Sequence, residues 1–312
     1  MKLYALLTGL LCLIMIFSPL ICIAAQQQAD STPLQTENSD PYASVSVLNS
    51  MSGKVTQMSA RDYVTGAVAA EMPASYGTEA LKAQAVACYT YYMWLKENAD
   101  NADYDISDDS KTHQGYLTDR QMREKWGDKY ESYKNKIEQA VISVLGECIM
   151  YENEPIFAAY HAISSGRTHS AEDVFSQALP YLQSVQAVGD TLSPDFDSSA
   201  EFTHDELADI LSIKNNDDNL IESIDTAESG YVSKITAGEK SYSGNELASL
   251  LKLRSPAFSA EYKDGKYIFS VRGYGHGVGM SQYSADYMAR QGSTYREILA
   301  HFYKGTYIDK IV

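Results

Sequence analysis

The sequence predicts an α+β fold, a single body of mixed helices and strands with a substrate groove, preceded by an N-terminal transmembrane helix. Three observations predict it. The chain opens on an apolar stretch, a polar segment follows, and helical and strand-like patterns then succeed each other irregularly up to Val312. Hydrophobic residues make up 45% of the 312 residues and charged residues 21%, a balance typical of globular proteins with a sizeable core.

Residues 1–25 form the apolar leader, in which Lys2 is the only charged side chain. About 20 apolar residues cross a bilayer, so we expect an uncleaved single-pass anchor. A secretory signal that is cleaved near Ala24 is the alternative. In both cases the acidic body lies outside the cytoplasm. Residues 26–44 lack periodicity and predict a polar linker, so the extracytoplasmic domain spans residues 45–312.

Capping residues mark where the predicted helices begin. Ser59 caps a helix that runs to about Met72, because Pro73 pushes Met72 out of the helical region. Thr78 caps a second helix. The apolar stripe of that second helix consists of Leu81, Ala85, Cys88, Tyr92 and Leu95. Further helices are predicted over residues 132–146, 206–212, 245–252, 281–292 and 294–305.

Alternating and β-branched residues predict the strands. They lie at residues 42–49, 148–153, 155–163, 231–238 and 267–274. Residues 213–230 are polar and predict a loop.

Glu71 is a candidate general acid. It shares a helix face with Val64 and Val68 and lies at the closing end of the helix, where the helix dipole is negative. Partial burial and the dipole both raise the pKa of a carboxyl group, which keeps it protonated near neutral pH. An ordinary surface glutamate is the alternative. Lys82 and Gln84 follow after a short turn and are expected in the same cleft, with a solvated helix face as an equal alternative for Lys82.

The stretch RGYGHGVGMSQYSA, residues 272–285, alternates glycine with larger residues. Bare glycine backbone lets a ligand or another chain segment approach closely. Tyr274, His276 and Gln282 in this stretch suit the hydroxyls and amides of sugars. A loop whose glycines serve packing alone is the alternative.

A third stretch, AYHAISSGRTHSAEDVF, covers residues 159–175. A strand ends at His161, and Ser164, Ser165 and Arg167 form a polar turn behind it. These four residues are candidate ligands of a bound substrate. A strand and turn that lead into a helix cap are the alternative.

Composition disfavours several function classes. The formal net charge of −16 is unsuited to nucleic acid. The histidines lack metal-ligand spacing and no G-x-S-x-G is present, so we predict no metal, no other cofactor and no serine triad. Cys88 and Cys148 are the cysteines outside the leader. A disulfide between these two cysteines is one alternative, although the place of Cys88 on a helix stripe favours a buried thiol.

These three stretches together resemble the stage II sporulation protein D family of endospore formers. AAEMPASYGTEALKAQAVACYTYY (residues 69–92) looks like the leading motif of the family. YHAISSGRTHSAEDVF (residues 160–175) looks like its middle motif, and GYGHGVGMSQYSA (residues 273–285) like its closing motif. Three long motifs in the same order form a specific match.

The resemblance implies a lytic transglycosylase that cleaves peptidoglycan between N-acetylmuramic acid and N-acetylglucosamine, with Glu71 as the catalytic acid. It implies a place on the outer face of the mother-cell membrane, at the septal wall, during engulfment. The implied partners are peptide-stripped glycan strands and the sporulation proteins P, an amidase, and M, a membrane anchor. A wall-binding or scaffolding module without turnover is the alternative, and a zinc-dependent amidase is a weaker one.

Three departures from the family pattern stand out. Tyr89 replaces an arginine of the leading motif, and Ser284 replaces a glycine of the closing motif. Some clostridial relatives bind zinc through cysteines and histidines in the region that here covers residues 108–117. That region contains His113 and no cysteine, so we predict no zinc site there.

Overall fold

The computed structural model describes residues 44–98, 103–110, 112–175, 178–213 and 219–311. Short 3₁₀ turns cover Gly127–Lys129 and Val188–Leu192. The helices are α1 (Ala60–Glu71), α2 (Thr78–Asn98), α3 (Asp119–Trp126), α4 (Tyr130–Val144), α5 (Ala171–Phe175), α6 (His204–Leu211), α7 (Gly244–Leu250), α8 (Gln282–Arg290) and α9 (Tyr295–Phe302).

The strands are short, and most pair with their neighbours antiparallel. Their bounds are β1 (Ser44–Leu48), β2 (Val55–Ser59), β3 (Ile106–Ser107), β4 (Glu147–Tyr151), β5 (Glu154–Pro155), β6 (Tyr160–His161), β7 (Asp197–Thr203), β8 (Ile221–Thr226), β9 (Val232–Ala237), β10 (Lys240–Tyr242), β11 (Phe258–Lys263), β12 (Lys266–Arg272), β13 (Met280–Ser281) and β14 (Tyr307–Lys310).

These strands form small sheets among the helices. The strand orders are β2-β1-β3, β14-β4-β5, β6-β13, β11-β12-β7 and β10-β9-β8. The parallel pair β6-β13 sets Tyr160 opposite Met280 and His161 opposite Ser281, so it joins the middle stretch of the sequence to the closing one. The mixed helix and strand fold that the sequence predicts is thus confirmed for the described residues.

Helix α2 lies at the centre of the larger hydrophobic core. It packs against α1, α4, α8, α9 and strand β4. The predicted stripe of α2 is buried at all five positions, because each turn faces another helix. Cys88 and Cys148 are both buried here as free thiols, and burial raises the pKa of each thiol to about 12. The disulfide that the sequence left open is absent.

A second, smaller core lies between strands and helices of the later part of the chain. It is formed by residues from Leu207 to Val271, and it joins α6 and α7 to the sheets of β7–β12. The larger core takes its residues from Val45 to Ala187 and again from Val278 to Tyr303. The chain therefore leaves the larger core, builds the smaller one, and returns.

The structure confirms most of the predicted capping residues and the helices that they begin. The side chain of Ser59 accepts a hydrogen bond from the N–H of Asp62, and α1 ends where Met72 becomes extended. Reciprocal capping boxes begin α6, α7 and α9 at Thr203, Ser243 and Thr294. Helix α2 differs slightly from the prediction: the carbonyl of Gly77 accepts its first hydrogen bond, so Thr78 is its first residue and not its cap.

One predicted strand was too long, and one predicted loop contains a strand. Of residues 155–163, only Pro155 and Tyr160–His161 belong to strands. The apolar run between them is buried in the larger core, and Ile156 and Ala159 each make a single backbone hydrogen bond to a strand, β4 and β13 respectively. The predicted loop 213–230 contains β8, whose pairing with β9 is interrupted by register shifts. These shifts break the alternation by which a strand is normally recognised.

No helix within the described ranges is both long and apolar enough to cross a membrane. The predicted anchor, residues 1–25, lies outside the described residues, as does the predicted linker up to residue 43.

Candidate active site

A cavity of about 510 Å³ opens beside the end of α1. Its walls come from α1, α2, the segment before α3, strand β6 and the glycine-rich stretch before β13. The residues that line it are Glu71, Tyr91, Ser110, His113, Gln114, Phe157, Ala158, Ala159, Tyr160, His161, Ala162, Tyr274, Gly275, His276 and Gln282.

Glu71 is the last residue of α1 and is half-buried in this cavity wall. Its Oε1 accepts a hydrogen bond from the backbone N–H of Gly115 at 2.5 Å. Burial raises the pKa of the Glu71 carboxyl above its usual value, while the Gly115 N–H and the charge of Lys125 act in the opposite direction. Because burial is the largest effect, Glu71 holds its proton more tightly than an exposed glutamate does.

Lys125 closes the C-terminal end of α1. Its Nζ donates a hydrogen bond to the carbonyl of Ala69 at 3.0 Å, one of the carbonyls that a helix end leaves without an intrahelical partner. The ammonium group also counters the negative end of the helix dipole near Glu71. The sequence argument named both burial and the dipole as causes of a raised pKa, and burial is the one that raises the pKa of Glu71 here.

Gln114 anchors the segment that carries Gly115. Its Nε2 donates to the carbonyl of Cys88 at 3.2 Å and to the hydroxyl of Tyr63, and its Oε1 accepts from the hydroxyl of Tyr160 at 2.9 Å. These partners belong to α1, α2 and β6. One buried amide thus fixes the segment against three elements of the cavity wall.

A chain of polar side chains continues behind the wall. The amide of Gln282 donates to Oε1 of Gln84 at 3.3 Å, and Nε2 of Gln84 donates to the thiol of Cys88 at 3.3 Å. Gln282 lines the cavity, as the sequence predicts. Gln84 is fully buried behind it, so it supports Gln282 and does not reach the cavity surface.

His161 and His276 line the same side of the cavity, with ring centres 5.8 Å apart. Burial lowers the pKa of His161 to about 4 and that of His276 to about 3. Both rings are therefore neutral near neutral pH. Their hydrogen bonds differ: Nδ1 of His161 lies 3.0 Å from the carbonyl of Val278, whereas Nδ1 of His276 accepts from the N–H of Val278 at 3.0 Å.

Aromatic rings form another part of the wall. The ring of Phe157 lies 5.7 Å from Tyr91 and 5.7 Å from Phe175, centre to centre. Tyr274 is half exposed at the rim, and the guanidinium of Arg254 lies 4.5 Å above its ring. Such flat apolar faces beside a few polar groups are typical of pockets for small polar molecules.

Besides Gln84, four residues that the sequence proposes for the site lie elsewhere. Lys82 makes an ion pair of 2.7 Å with Glu79. Ser165 donates to the carbonyl of Ser229, and Arg167 donates to the hydroxyl of Ser184. None of the three lines the cavity, because their side chains already serve contacts that hold neighbouring loops.

Ser164, the fourth, binds a buried carboxylate. Asp190 accepts hydrogen bonds from the N–H and hydroxyl of Ser164, at 2.7 and 2.5 Å, and from the hydroxyls of Ser281 and Ser284, at 2.7 and 2.9 Å. Burial raises the pKa of Asp190 and these four donors lower it. Ser164 and Ser284 thus join the middle and closing stretches through Asp190.

Sequence reasoning missed several cavity residues, Tyr91, Ser110, Gln114, Phe157 and Tyr160 among them. His113 was considered only as a metal ligand. It lines the cavity, and its Nδ1 lies 2.7 Å from the hydroxyl of Ser107. The signal that points to this segment is Gly115, a small residue beside polar side chains in a stretch without helical periodicity. Within the described ranges, no cluster of three His, Cys, Asp or Glu side chains has the arrangement of a metal site.

Comparison with known proteins identifies the family. The family model described as stage II sporulation protein matches residues 49–151. Stage II sporulation protein D of Bacillus subtilis (strain 168) is 30% identical over 99% of this chain and 96% of its own length. The chain belongs to the stage II sporulation protein D family. The protein of the same name from Bacillus amyloliquefaciens is 34% identical over 86% of this chain and 79% of its own length.

The stage II sporulation protein D family has a more distant relative among the matches. An amidase enhancer of Bacillus subtilis (strain 168) is 28% identical over 77% of this chain and 39% of its own length.

Tyr89, which departs from the family motif, lies in the larger core. Its ring centre is 6.1 Å from that of Tyr92, and Tyr89 does not line the cavity.

Proposed function

We propose that this protein is a peptidoglycan lytic transglycosylase that cleaves the bond between N-acetylmuramic acid and N-acetylglucosamine in glycan strands without stem peptides. The observation that carries the proposal is the environment of Glu71. Among the described residues that line the cavity, Glu71 has the one carboxyl group, and its pKa is raised by burial. A buried acid of this kind is suited to donate a proton near neutral pH.

In the proposed first step, Glu71 donates its proton to the glycosidic oxygen as the bond to C1 of the muramic acid breaks. The departing sugar takes that proton as its new hydroxyl. The Glu71 carboxylate that remains is stabilised by the Gly115 N–H and by the nearby charge of Lys125. These two groups favour the charged product of the proton transfer.

In the second step, the 6-hydroxyl of the same muramic acid attacks its own C1, and Glu71 takes the proton from that hydroxyl. The product is a 1,6-anhydro sugar, and no water is consumed. Glycosidases that use water generally need two carboxyl groups, one on each side of the bond. An intramolecular attack needs only one, which agrees with a cavity whose described lining holds a single carboxyl group.

The rest of the lining supports a sugar ligand. Tyr274 and Phe157 offer flat apolar faces, and Gln282 offers an amide donor and acceptor. His161 and His276 are neutral there, so these two described rings offer hydrogen-bonding nitrogens to a sugar and no charge.

Two relatives are named for sporulation, which supports a role in that process, and we place this role at the septal wall during engulfment. We propose that the domain acts on the outer face of the mother-cell membrane, to which an N-terminal helix attaches it, and that proteins P and M of the same process work beside it. An amidase partner would supply the peptide-free strands that the reaction requires.

The test uses the purified full chain and glycan strands whose stem peptides have been removed. Mass spectrometry of the released fragments should show 1,6-anhydro ends with the wild type. Glu71→Gln should bind the strands and release fragments roughly 10²- to 10⁴-fold more slowly, because the general acid is lost. Glu97→Gln, the same change at an exposed position outside the cavity, should cleave at the wild-type rate.

Other outcomes would point elsewhere. Binding without fragments from the wild type would favour the wall-binding or scaffolding module. Fragments with reducing ends would mean that water attacks C1, and a wild-type rate for Glu71→Gln would show that another group is the acid.

A further inference from the structure

One wall of the cavity contains a histidine with an unused nitrogen. The ring of His161 lines the cavity, although only 4% of the residue is exposed to solvent. Its Nδ1 lies 3.0 Å from the carbonyl oxygen of Val278. Because a carbonyl oxygen can only accept a hydrogen bond, Nδ1 carries the ring proton and donates it.

The other nitrogen, Nε2, is therefore an acceptor with a free lone pair. No described residue donates a hydrogen bond to it, although it is shielded from bulk water. A buried acceptor without a donor is unfavourable and is rare in folded proteins. The neighbouring His276 has the opposite arrangement, since its Nδ1 accepts from the N–H of Val278 and its proton is on Nε2.

We infer that Nε2 of His161 accepts a hydrogen bond from a hydroxyl or acetamido N–H of the glycan bound in the cavity, and so positions that sugar for the reaction at Glu71. The inference rests on the proposed function, because it names a group of the proposed substrate. His161 is a positioning residue here and exchanges no proton with the reacting atoms.

A neutral, fixed acceptor selects a neutral donor. Hydroxyl and amide groups of a sugar fit it, whereas an ionised carboxylate offers only further lone pairs. The Val278 carbonyl holds the tautomer, so Nε2 is an acceptor before the ligand arrives, although the groups that shield it from water must give way on binding. Such preorganisation lowers the cost of ordering the site on binding.

Two substitutions of the full chain separate the two ring nitrogens. His161→Asn keeps an N–H near the place of Nδ1, which can still donate to Val278, and removes the acceptor at Nε2. His161→Gln keeps an acceptor near the place of Nε2. We expect His161→Asn to raise KM for peptide-free strands by about tenfold, the worth of one hydrogen bond to a neutral group, and His161→Gln to recover most of the loss.

A set of synthetic tetrasaccharides identifies the donor. Each lacks one hydroxyl or has one acetamido nitrogen methylated, and calorimetry measures its binding. The wild type should lose about tenfold in affinity for one of them. His161→Asn should bind that analogue and the parent sugar equally. His301→Asn, a change outside the cavity, should discriminate as the wild type does.

An equal loss of affinity by His161→Asn for every sugar of the set would overturn the inference, because it would indicate a structural role. Wild-type affinity for all of them would overturn it too. A failure of the proposed function would give a different experimental result. In that case the wild type releases no anhydro fragments, whereas the binding comparison between wild type and His161→Asn still reports on Nε2.

Discussion

The backbone N–H of Gly115 donates a hydrogen bond to Oε1 of Glu71, 44 positions earlier in the chain, at a distance of 2.5 Å. This contact sets the position of the carboxyl group at the end of α1. It also gives the carboxylate a donor in a wall where burial otherwise disfavours charge. The position of the proposed acid thus depends on Gly115, which lies in the irregular segment between α2 and α3.

Gly115→Ala should displace the Glu71 carboxyl. A Cβ at Gly115 would lie 2.9 Å from Oε1 of Glu71 and 3.2 Å from Cβ of Ala70. The Glu71 side chain can move away, so we expect a small change in melting temperature and a fall in kcat on the order of 10- to 100-fold. The N–H of residue 115 remains in the variant, but loss of its hydrogen bond to the displaced carboxyl should also raise the pKa of Glu71 further.

The pH–rate profile of Gly115→Ala provides the measurement. Because the acid must begin protonated, a higher pKa should move the alkaline limb of kcat to higher pH. An unchanged profile at reduced kcat would mean that Gly115 matters for the shape of the cavity and not for the acid.

Glu71→Gln should change the pH dependence of stability. The pKa of Glu71 is raised in the folded chain, so the folded state binds this proton more tightly than the unfolded state. Stability is therefore lost as the pH rises from the ordinary value of about 4 through the folded pKa. We expect the variant, which cannot ionise, to melt at a higher temperature than the wild type at pH 7. Thermal unfolding near pH 3 should show no such advantage.

Asp190→Ala should destabilise the fold. Its carboxylate is fully buried and accepts four hydrogen bonds from three serines, among them Ser164 and Ser281. Removal leaves buried donors without an acceptor, and we expect a loss on the order of 3 kcal/mol in urea unfolding. Asp195→Ala, an exposed position nearby in sequence, should change the unfolding free energy by less than about 0.5 kcal/mol.

Gly279→Ala should prevent folding, whereas Gly292→Ala should not. Both glycines have a positive φ, of 76° and 94°, so both substitutions cost about 1–2 kcal/mol in backbone strain. A Cβ at Gly279 would also overlap the carbonyl oxygen of Ala159, while nothing lies within 4 Å at Gly292. Soluble yield and melting temperature distinguish the two. Equal melting temperatures for the two variants would show that the contact between residue 279 and the carbonyl of Ala159 does not limit folding.

The helices were predictable because their signals are local. A capping serine or threonine, a glutamate three residues later and a proline after the last turn act within one or two turns of the helix. Ser59, Thr203 and Thr294 are examples, and each begins its helix as the sequence predicts. Helix α3 was missed because its only buried residue is Met122, which leaves no apolar stripe to detect.

The candidate site was predictable only in part. Glu71, His161, Tyr274, His276 and Gln282 do line one cavity; the place of Glu71 on its helix and the residue types of the other four suggested a site. Ser164, by contrast, has the same residue type as many ligand-binding serines, and only the fold shows that its hydroxyl faces Asp190. A polar side chain does not reveal its partner when that partner lies far away in the chain.

The role of the segment with Gln114 and Gly115 could not be predicted from the sequence for the same reason. Gln114 acquires its role from Tyr63, Cys88 and Tyr160, which are 51, 26 and 46 positions away. A glutamine in an irregular stretch has no local pattern that would predict three such bonds. Only packing of α1, α2 and β6 against one another brings these groups within reach.

The order in which the two cores use the chain has a consequence for biosynthesis. Residues from Leu207 to Val271, which build the smaller core, leave the ribosome before Val278 to Tyr303, which complete the larger one. The part of the larger core that precedes them holds most of its buried residues, and it stays incomplete until Val278 to Tyr303 have been made. A chain truncated before residue 278 would therefore keep Glu71 but lack Gln282 of the cavity lining and the last residues of the larger core.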